Sequence, residues 1–211
     1  REPDDAGNIH NPISTQSPGY QFPIDQIKRV QDANGRIRLD GIIYIGGNAS
    51  ATARPLLNKF FVNAGGVTSS GAHYLVNIRF EFAPSIATNA VQINWLSESE
   101  LSMYSSNESK LVVGLTQLGG NTIKINPVYA DARSMKSAFA KWSLETKQLR
   151  DTIKHTRGVF AHEVAHAMGL SHMRNQTNSI LSYAYGRRVN AADGQAICLL
   201  VSNGDRSLCP D

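Results

Sequence analysis

The sequence predicts an α+β fold, and three observations carry that expectation. Apolar and polar residues alternate along several short stretches between residues 27 and 126, which is the period of half-buried strands. Helix-forming residues then dominate from Asp131 to Met168, for longer than one globular helix usually runs. A last capped amphipathic stretch opens at Asn190 near the C-terminus.

Residues 1–22 are polar, rich in Pro, Asn and Ser, and without periodicity, so they are expected to form an extended arm ahead of a single domain over residues 23–211. From Ile27 to Ile45 the pattern runs strand, Asp32-Ala33-Asn34-Gly35, strand, and Asn-Gly predicts a hairpin. A helix is expected over residues 51–64, capped by Ser50 and ended by Gly65-Gly66, with Pro55 confining its regular part to the residues beyond. Val76, Ile78, Phe80 and Phe82 alternate with Asn77, Arg79 and Glu81 as one strand, and Val91, Ile93 and Trp95 mark another. A serine-rich loop from Ser97 to Ser109 precedes strands near Leu111–Leu118 and Thr122–Asn126. The long helical stretch should break between Lys147 and Gly158, with a new helix starting before Phe160. Val159, Phe160, Ala161, Val164, Ala165, Ala167 and Met168 would seat that helix in the core.

That helix carries the chemistry. His162-Glu163-Val164-Ala165-His166-Ala167-Met168-Gly169-Leu170-Ser171-His172 places three of the chain's six histidines within eleven residues. His162 and His166 are four apart, so on a helix their imidazoles leave one face a turn apart and can grip one metal ion. His172 would be carried away by a continuing helix, so the helix must stop. Gly169 can stop it, because glycine accepts the left-handed conformation that ends helices and lets the chain double back. Three neutral imidazoles leave a fourth position of a zinc ion open for water, as in catalytic sites. Glu163 is then the expected general base. Chance would produce five such specified positions with a probability on the order of 10⁻⁵, so an accidental histidine cluster is the poorer explanation.

The motif resembles the signature of the metzincin clan of zinc endopeptidases, over about residues 158–186. Ser179-Ile180-Leu181-Ser182-Tyr183 is similar to the Ser-x-Met-x-Tyr turn of astacin-like and serralysin-like members, with Leu181 in the methionine's place. The resemblance implies that Leu181 packs beneath the imidazoles and that Tyr183 helps hold the oxyanion of the tetrahedral intermediate. Met173, after the third histidine, matches none of the residues that mark the individual families. Asn190-Ala191-Ala192-Asp193-Gly194-Gln195-Ala196-Ile197 is similar to the start of the last matrixin helix, with Asn190 as cap and Asp193 near the positive helix end.

The clan implies an upper subdomain, about residues 23–169, with a twisted mixed five-stranded sheet and two long helices. It implies a small irregular lower subdomain, about 170–211, with a C-terminal helix. It also implies that an edge strand, here Leu111, Val112, Val113, Gly114 and Leu115, forms the upper rim of the cleft and pairs with an extended polypeptide substrate. The wall of the primed-side pocket would lie between Met173 and Arg188. Nothing in the residues points to a structural calcium ion; one catalytic Zn²⁺ is the expected cofactor.

Composition agrees with a secreted enzyme. No apolar run approaches the ~20 residues of a membrane span, and no signal peptide is present. Because the chain opens on Arg1, a processed or trimmed product is expected. The net charge of +4 is spread with no basic run longer than Arg187-Arg188, which argues against nucleic-acid binding. Cys198 and Cys209 suit one disulfide, closing Leu199–Leu208 as a loop that pins the tail. Asp4, Asp5 or His10 of the arm are candidates for touching the metal in a latent form. Two other readings use the same residues. Arg206 inside the cysteine loop resembles the processing site of nicked, disulfide-bridged bacterial toxins, which would make the chain the catalytic subunit held to a carrier through its C-terminal segment. The leucine in the turn, alternatively, suits a pseudo-enzyme that keeps the zinc fold only for binding, against which Glu163 stands.

Overall fold

A computed structural model describes residues 14–86, 89–103, 114–130, 158–173, 178–182 and 188–211. Among these, a mixed sheet of seven strands is covered on one face by helices. The strands are β1 (Ile27–Gln31), β2 (Ile37–Gly46), β3 (Ala64–Val67), β4 (His73–Phe82), β5 (Val91–Trp95), β6 (Gly114–Thr116) and β7 (Thr122–Ile125). Their order is β3-β4-β2-β5-β7-β6. β4 pairs along one side of β2, and the other side is shared by β1 at Ile37–Gly41 and β5 at Ile45–Gly46. β2, β4, β5 and β7 are parallel, whereas β1, β3 and β6 run antiparallel to their neighbours.

Period-two alternation decides which face is covered. Leu39, Ile43 and Ile45 of β2, Val76, Ile78 and Phe80 of β4, Ile93 of β5, and Ile123 and Ile125 of β7 are buried. Their neighbours Arg38, Ile42, Tyr44, Leu75 and Arg79 are exposed on the opposite face. Helix α1 (Ser50–Phe61) packs on β4 and β5, α3 (Val159–Met168) on β6, β7 and α1, and α4 (Ala191–Val201) on β3 and β4. The short helix α2 (Glu98–Ser102) follows β5. No helix among the described residues is long and apolar enough to cross a membrane.

The hairpin stands where Asn34-Gly35 predicts it: Asp32 Oδ1 accepts from Asn34 N and Arg36 N, both at 2.9 Å, and Gly35 takes φ +78°. Several expectations need correction. The sheet has seven strands where the clan implies five; the one strand that no alternation announces is β3, at the end of the strand order, of which Gly65-Gly66 form part instead of merely ending a helix. Gly65 (φ +109°) lies so close to β4 that a Cβ would stand 2.1 Å from Tyr74 O. Helix α1 ends earlier, at Phe61, followed by Asn63 with φ +50°. Ser50 is its first residue and not its cap; its Oγ donates back to Gly47 O at 2.7 Å. Pro55 sits inside the helix. Its missing N–H orphans Ala51 O on the exposed side, where water can reach it, while Ala53, Leu57, Phe60 and Phe61 bury the opposite stripe. That burial offsets a proline cost of about 3 kcal/mol.

Phe82 does not continue the buried row. It is half exposed, with the Arg54 guanidinium 5.0 Å from its ring centroid. The serine-rich stretch is not all loop, since Ser97 and Glu100 form a reciprocal capping box that starts α2. The strand expected over Leu111–Leu118 is confined to Gly114–Thr116 among the described residues; Leu111, Val112 and Val113 lie outside them, as does the expected break between Lys147 and Gly158. Residues 14–22, the described part of the expected arm, are tied to the domain. Gln21 N and Phe22 N both donate to Gly119 O, Tyr20 OH donates to Met168 O, and Phe22 enters the core. Asp4, Asp5 and His10 lie outside the described residues.

Cys198 on α4 and Cys209 in the tail form a disulfide. The tail is tied further by Tyr74 OH, which donates to Pro210 O at 2.6 Å, and by Gln195 Nε2, which donates to Asp211 Oδ1 at 2.5 Å.

Candidate metal centre

Helix α3 is buried along its whole length, which its apolar and small residues allow on every side of the three polar ones. It stops as the sequence predicts. Gly169 adopts φ +111°, Leu170 N donates to Ala165 O at 3.0 Å, and Gly169 N donates to His166 O at 2.9 Å. This paired closure satisfies the last helical carbonyls and reverses the chain, returning His172 toward the helix.

The Nε2 atoms of His162, His166 and His172 then converge, at 3.1 Å (162 to 166), 3.2 Å (162 to 172) and 3.3 Å (166 to 172). Backbone carbonyls decide the tautomers of two of them. His162 Nδ1 donates to Ile180 O at 2.7 Å and His166 Nδ1 to Leu170 O at 2.6 Å. A carbonyl can only accept, so each Nδ1 carries the proton and each Nε2 lone pair points at the common centre. Burial, then the neighbouring His166 imidazole and more weakly His172, hold the His162 pKa well below its ordinary value, against the opposing effect of the Ile180 carbonyl. The ring is therefore neutral near pH 7, the state a metal needs.

Lone pairs facing one another at this distance repel unless a cation lies between them. Tetrahedral zinc with Zn–N of about 2.0–2.1 Å spaces its nitrogens roughly 3.3–3.4 Å apart, close to the triangle found here. The three histidines thus lie close enough to hold one metal ion, in an arrangement compatible with zinc.

Glu163, the residue after His162 on α3, is not one of the three residues whose ligand atoms converge. Its carboxylate lies against β6: Oε2 accepts from Thr116 Oγ1 at 2.5 Å, and a Cβ added at Gly114 would stand 2.9 Å from Glu163 Cδ. Among the described residues β6 is the terminal strand of the sheet, with Leu115 exposed. Gly114 and Leu115 of the expected rim strand are therefore at a sheet edge next to α3, and the remaining three residues of that strand lie outside the described residues.

The turn behind the histidines is held by polar groups. Ser179 Oγ accepts from Leu181 N at 2.9 Å and donates to Asp193 Oδ1 at 2.5 Å. Asp193 Oδ2 accepts from Ile180 N at 3.2 Å and from Asn190 N at 3.0 Å. Leu181 is fully buried, and its carbonyl accepts from Met173 N, next to His172. Tyr183 lies outside the described residues.

Asn190 caps α4 as expected, through a capping box with Asp193. Asp193 does more than favour the helix end: it is buried and ties α4 to the turn whose Ile180 carbonyl orients His162. Burial raises its pKa to about 6, partly offset by the hydrogen bonds from Ser179, Asn190 and Ile180. The orienting carbonyls of Ile180 and Leu170 are invisible to sequence reasoning, because every residue has one. The Thr116 hydroxyl at Glu163 is equally invisible, because 47 residues separate the two.

Compared with known proteins, the chain matches no protein-family model, no curated protein and no solved structure.

Proposed function

We propose that this chain is a zinc-dependent endopeptidase that hydrolyses polypeptides without a covalent intermediate. The observation that carries the reading is the triangle of three Nε2 atoms, with the buried Glu163 following His162 on the same helix. Three neutral imidazoles are a donor set that suits a divalent zinc ion and leaves room for a further ligand. A zinc ion bound there supplies Lewis acidity near neutral pH.

Glu163 takes the proton of the attacking water and delivers it to the amine of the leaving peptide. His162 and His166 keep their ligating orientation because Ile180 O and Leu170 O hold their far nitrogens. The edge of β6 receives an extended segment of substrate by antiparallel main-chain pairing, next to the helix that carries Glu163. Tyr183, by its resemblance to the tyrosine of the metzincin turn, helps hold the oxyanion. The resemblance of the histidine motif supports placing the chain in that clan, and the disulfide fits an oxidising, extracellular setting.

The test is a peptide-library digest read by mass spectrometry. Cleavage by the zinc-loaded chain should stop with a chelator and return with zinc. Metal analysis showing no bound zinc with His162, His166 and His172 intact would remove the reading.

A further inference from the structure

We propose that Thr116 is a positioning residue for the general base: its hydroxyl, on the edge strand, holds the Glu163 carboxylate in its working orientation. This rests on the endopeptidase reading of the site. A glutamate side chain has three rotatable bonds, and a base that must meet one water molecule loses rate when its carboxylate turns away. α3 fixes only the Cα of Glu163. Residues of β6 meet the carboxylate itself.

Two features of that strand act together. Gly114 and Thr116 are two apart, so they share a face, and they pair with Ile125 and Ile123, whose side chains are buried toward α3. Gly114 presents no side chain where a Cβ would come within 2.9 Å of Glu163 Cδ and 3.1 Å of Oε1. Thr116 presents an O–H that donates to Oε2 at 2.5 Å. One position makes room for the carboxylate and the next on that face fixes its rotation. A hydrogen bond to a charged acceptor is among the stronger ones a side chain can make, and here it is half-buried.

The strand therefore has two roles on its two aspects. Its main-chain edge, unpaired among the described residues, is where an extended peptide would pair, and its inner face seats the base. Docking of substrate and alignment of the carboxylate are carried by the same three residues, Gly114–Thr116.

Thr116→Val removes the hydroxyl and keeps the shape; Thr116→Ser keeps the hydroxyl. With a fluorogenic peptide and equal zinc content, Thr116→Val should lower kcat about ten- to hundredfold and leave KM within about twofold, and Thr116→Ser should return kcat to within about threefold of wild type. A second readout does not need activity. At one fixed excess of zinc, Thr116→Val should raise the unfolding constant about tenfold in the wild-type background and leave it within about twofold in the Glu163→Ala background.

Wild-type kcat in Thr116→Val, a rise in KM alone, or no rescue by serine would overturn the proposal. So would the same unfolding penalty in both backgrounds. If the zinc-loaded wild type cleaves no peptide, the endopeptidase reading falls, while the unfolding cycle still decides whether Thr116 holds Glu163.

Discussion

Asp193 on helix α4 and Ser179 in the turn behind the histidines are joined by a 2.5 Å hydrogen bond, with both residues buried. The same carboxylate takes the N–H of Ile180, whose carbonyl in turn fixes His162. The C-terminal helix is thereby linked to the histidine cluster through the turn. Asp193→Asn would set an amide N–H₂ against at least one of three donors, so it should destabilise the fold and weaken zinc binding. The expected loss of zinc affinity is roughly 10–100-fold, measured by competition with a chromophoric chelator. Unchanged affinity would mean that the turn holds itself without α4.

The pH dependence of that residue has a definite sign. Its folded pKa of about 6 lies above the ~3.9 of an unfolded aspartate, because burial disfavours the charge. Between those values the folded chain keeps a proton that the unfolded chain has released. Asp193 therefore contributes most below about pH 4, and its contribution declines as pH rises toward 6, by on the order of 3 kcal/mol. The stability difference between wild type and Asp193→Asn, from denaturant unfolding at pH 4 and pH 6.5, should shrink with rising pH. A widening difference would contradict the burial argument.

Leu181 fills its site completely and lies in a turn stitched to the residue after His172. Leu181→Met should cost less than about 1.5 kcal/mol, because the volumes are close and methionine adapts its shape. Leu181→Asn buries an amide in the apolar core without hydrogen-bond partners and should both destabilise the chain and release zinc. Thermal unfolding with and without zinc separates these outcomes.

The Cys198–Cys209 bridge closes a short loop that returns the tail to α4 and β4. Replacing both cysteines by serine should lower stability by about 2–3 kcal/mol. Peptide hydrolysis at 25 °C should persist, since the loop lies on the tail and not among the histidines. Loss of activity without loss of folding would assign the tail a role in the site.

How much of this was legible in the sequence follows from what kind of group does the work. The convergence of His162, His166 and His172 and the stop at Gly169 could be read directly, because helical spacing and a left-handed glycine are properties of residue type and position. So could Asn190, whose cap is a local hydrogen bond. β3 was hidden because Gly65 and Gly66 have no alternation to show, and their role depends on a strand that comes later in the chain. Pro55 misled for a similar reason: local propensity argues against it, and only the tertiary burial of Leu57 and Phe60 outweighs it. The contacts that tune the site, from Thr116 to Glu163 and from Asp193 to Ser179, join residues 47 and 14 positions apart, and sequence spacing carries no trace of such pairs.

The central claim is that Glu163 acts as the base beside a metal held by three histidines, and kcat/KM of Glu163→Ala against wild type, at matched zinc occupancy, tests it most directly. The account expects Glu163→Ala to keep its zinc and to lose at least about 10²–10⁴ in rate, the share that a positioned base contributes. A zinc-loaded Glu163→Ala protein that cleaves peptides at the wild-type rate would contradict it.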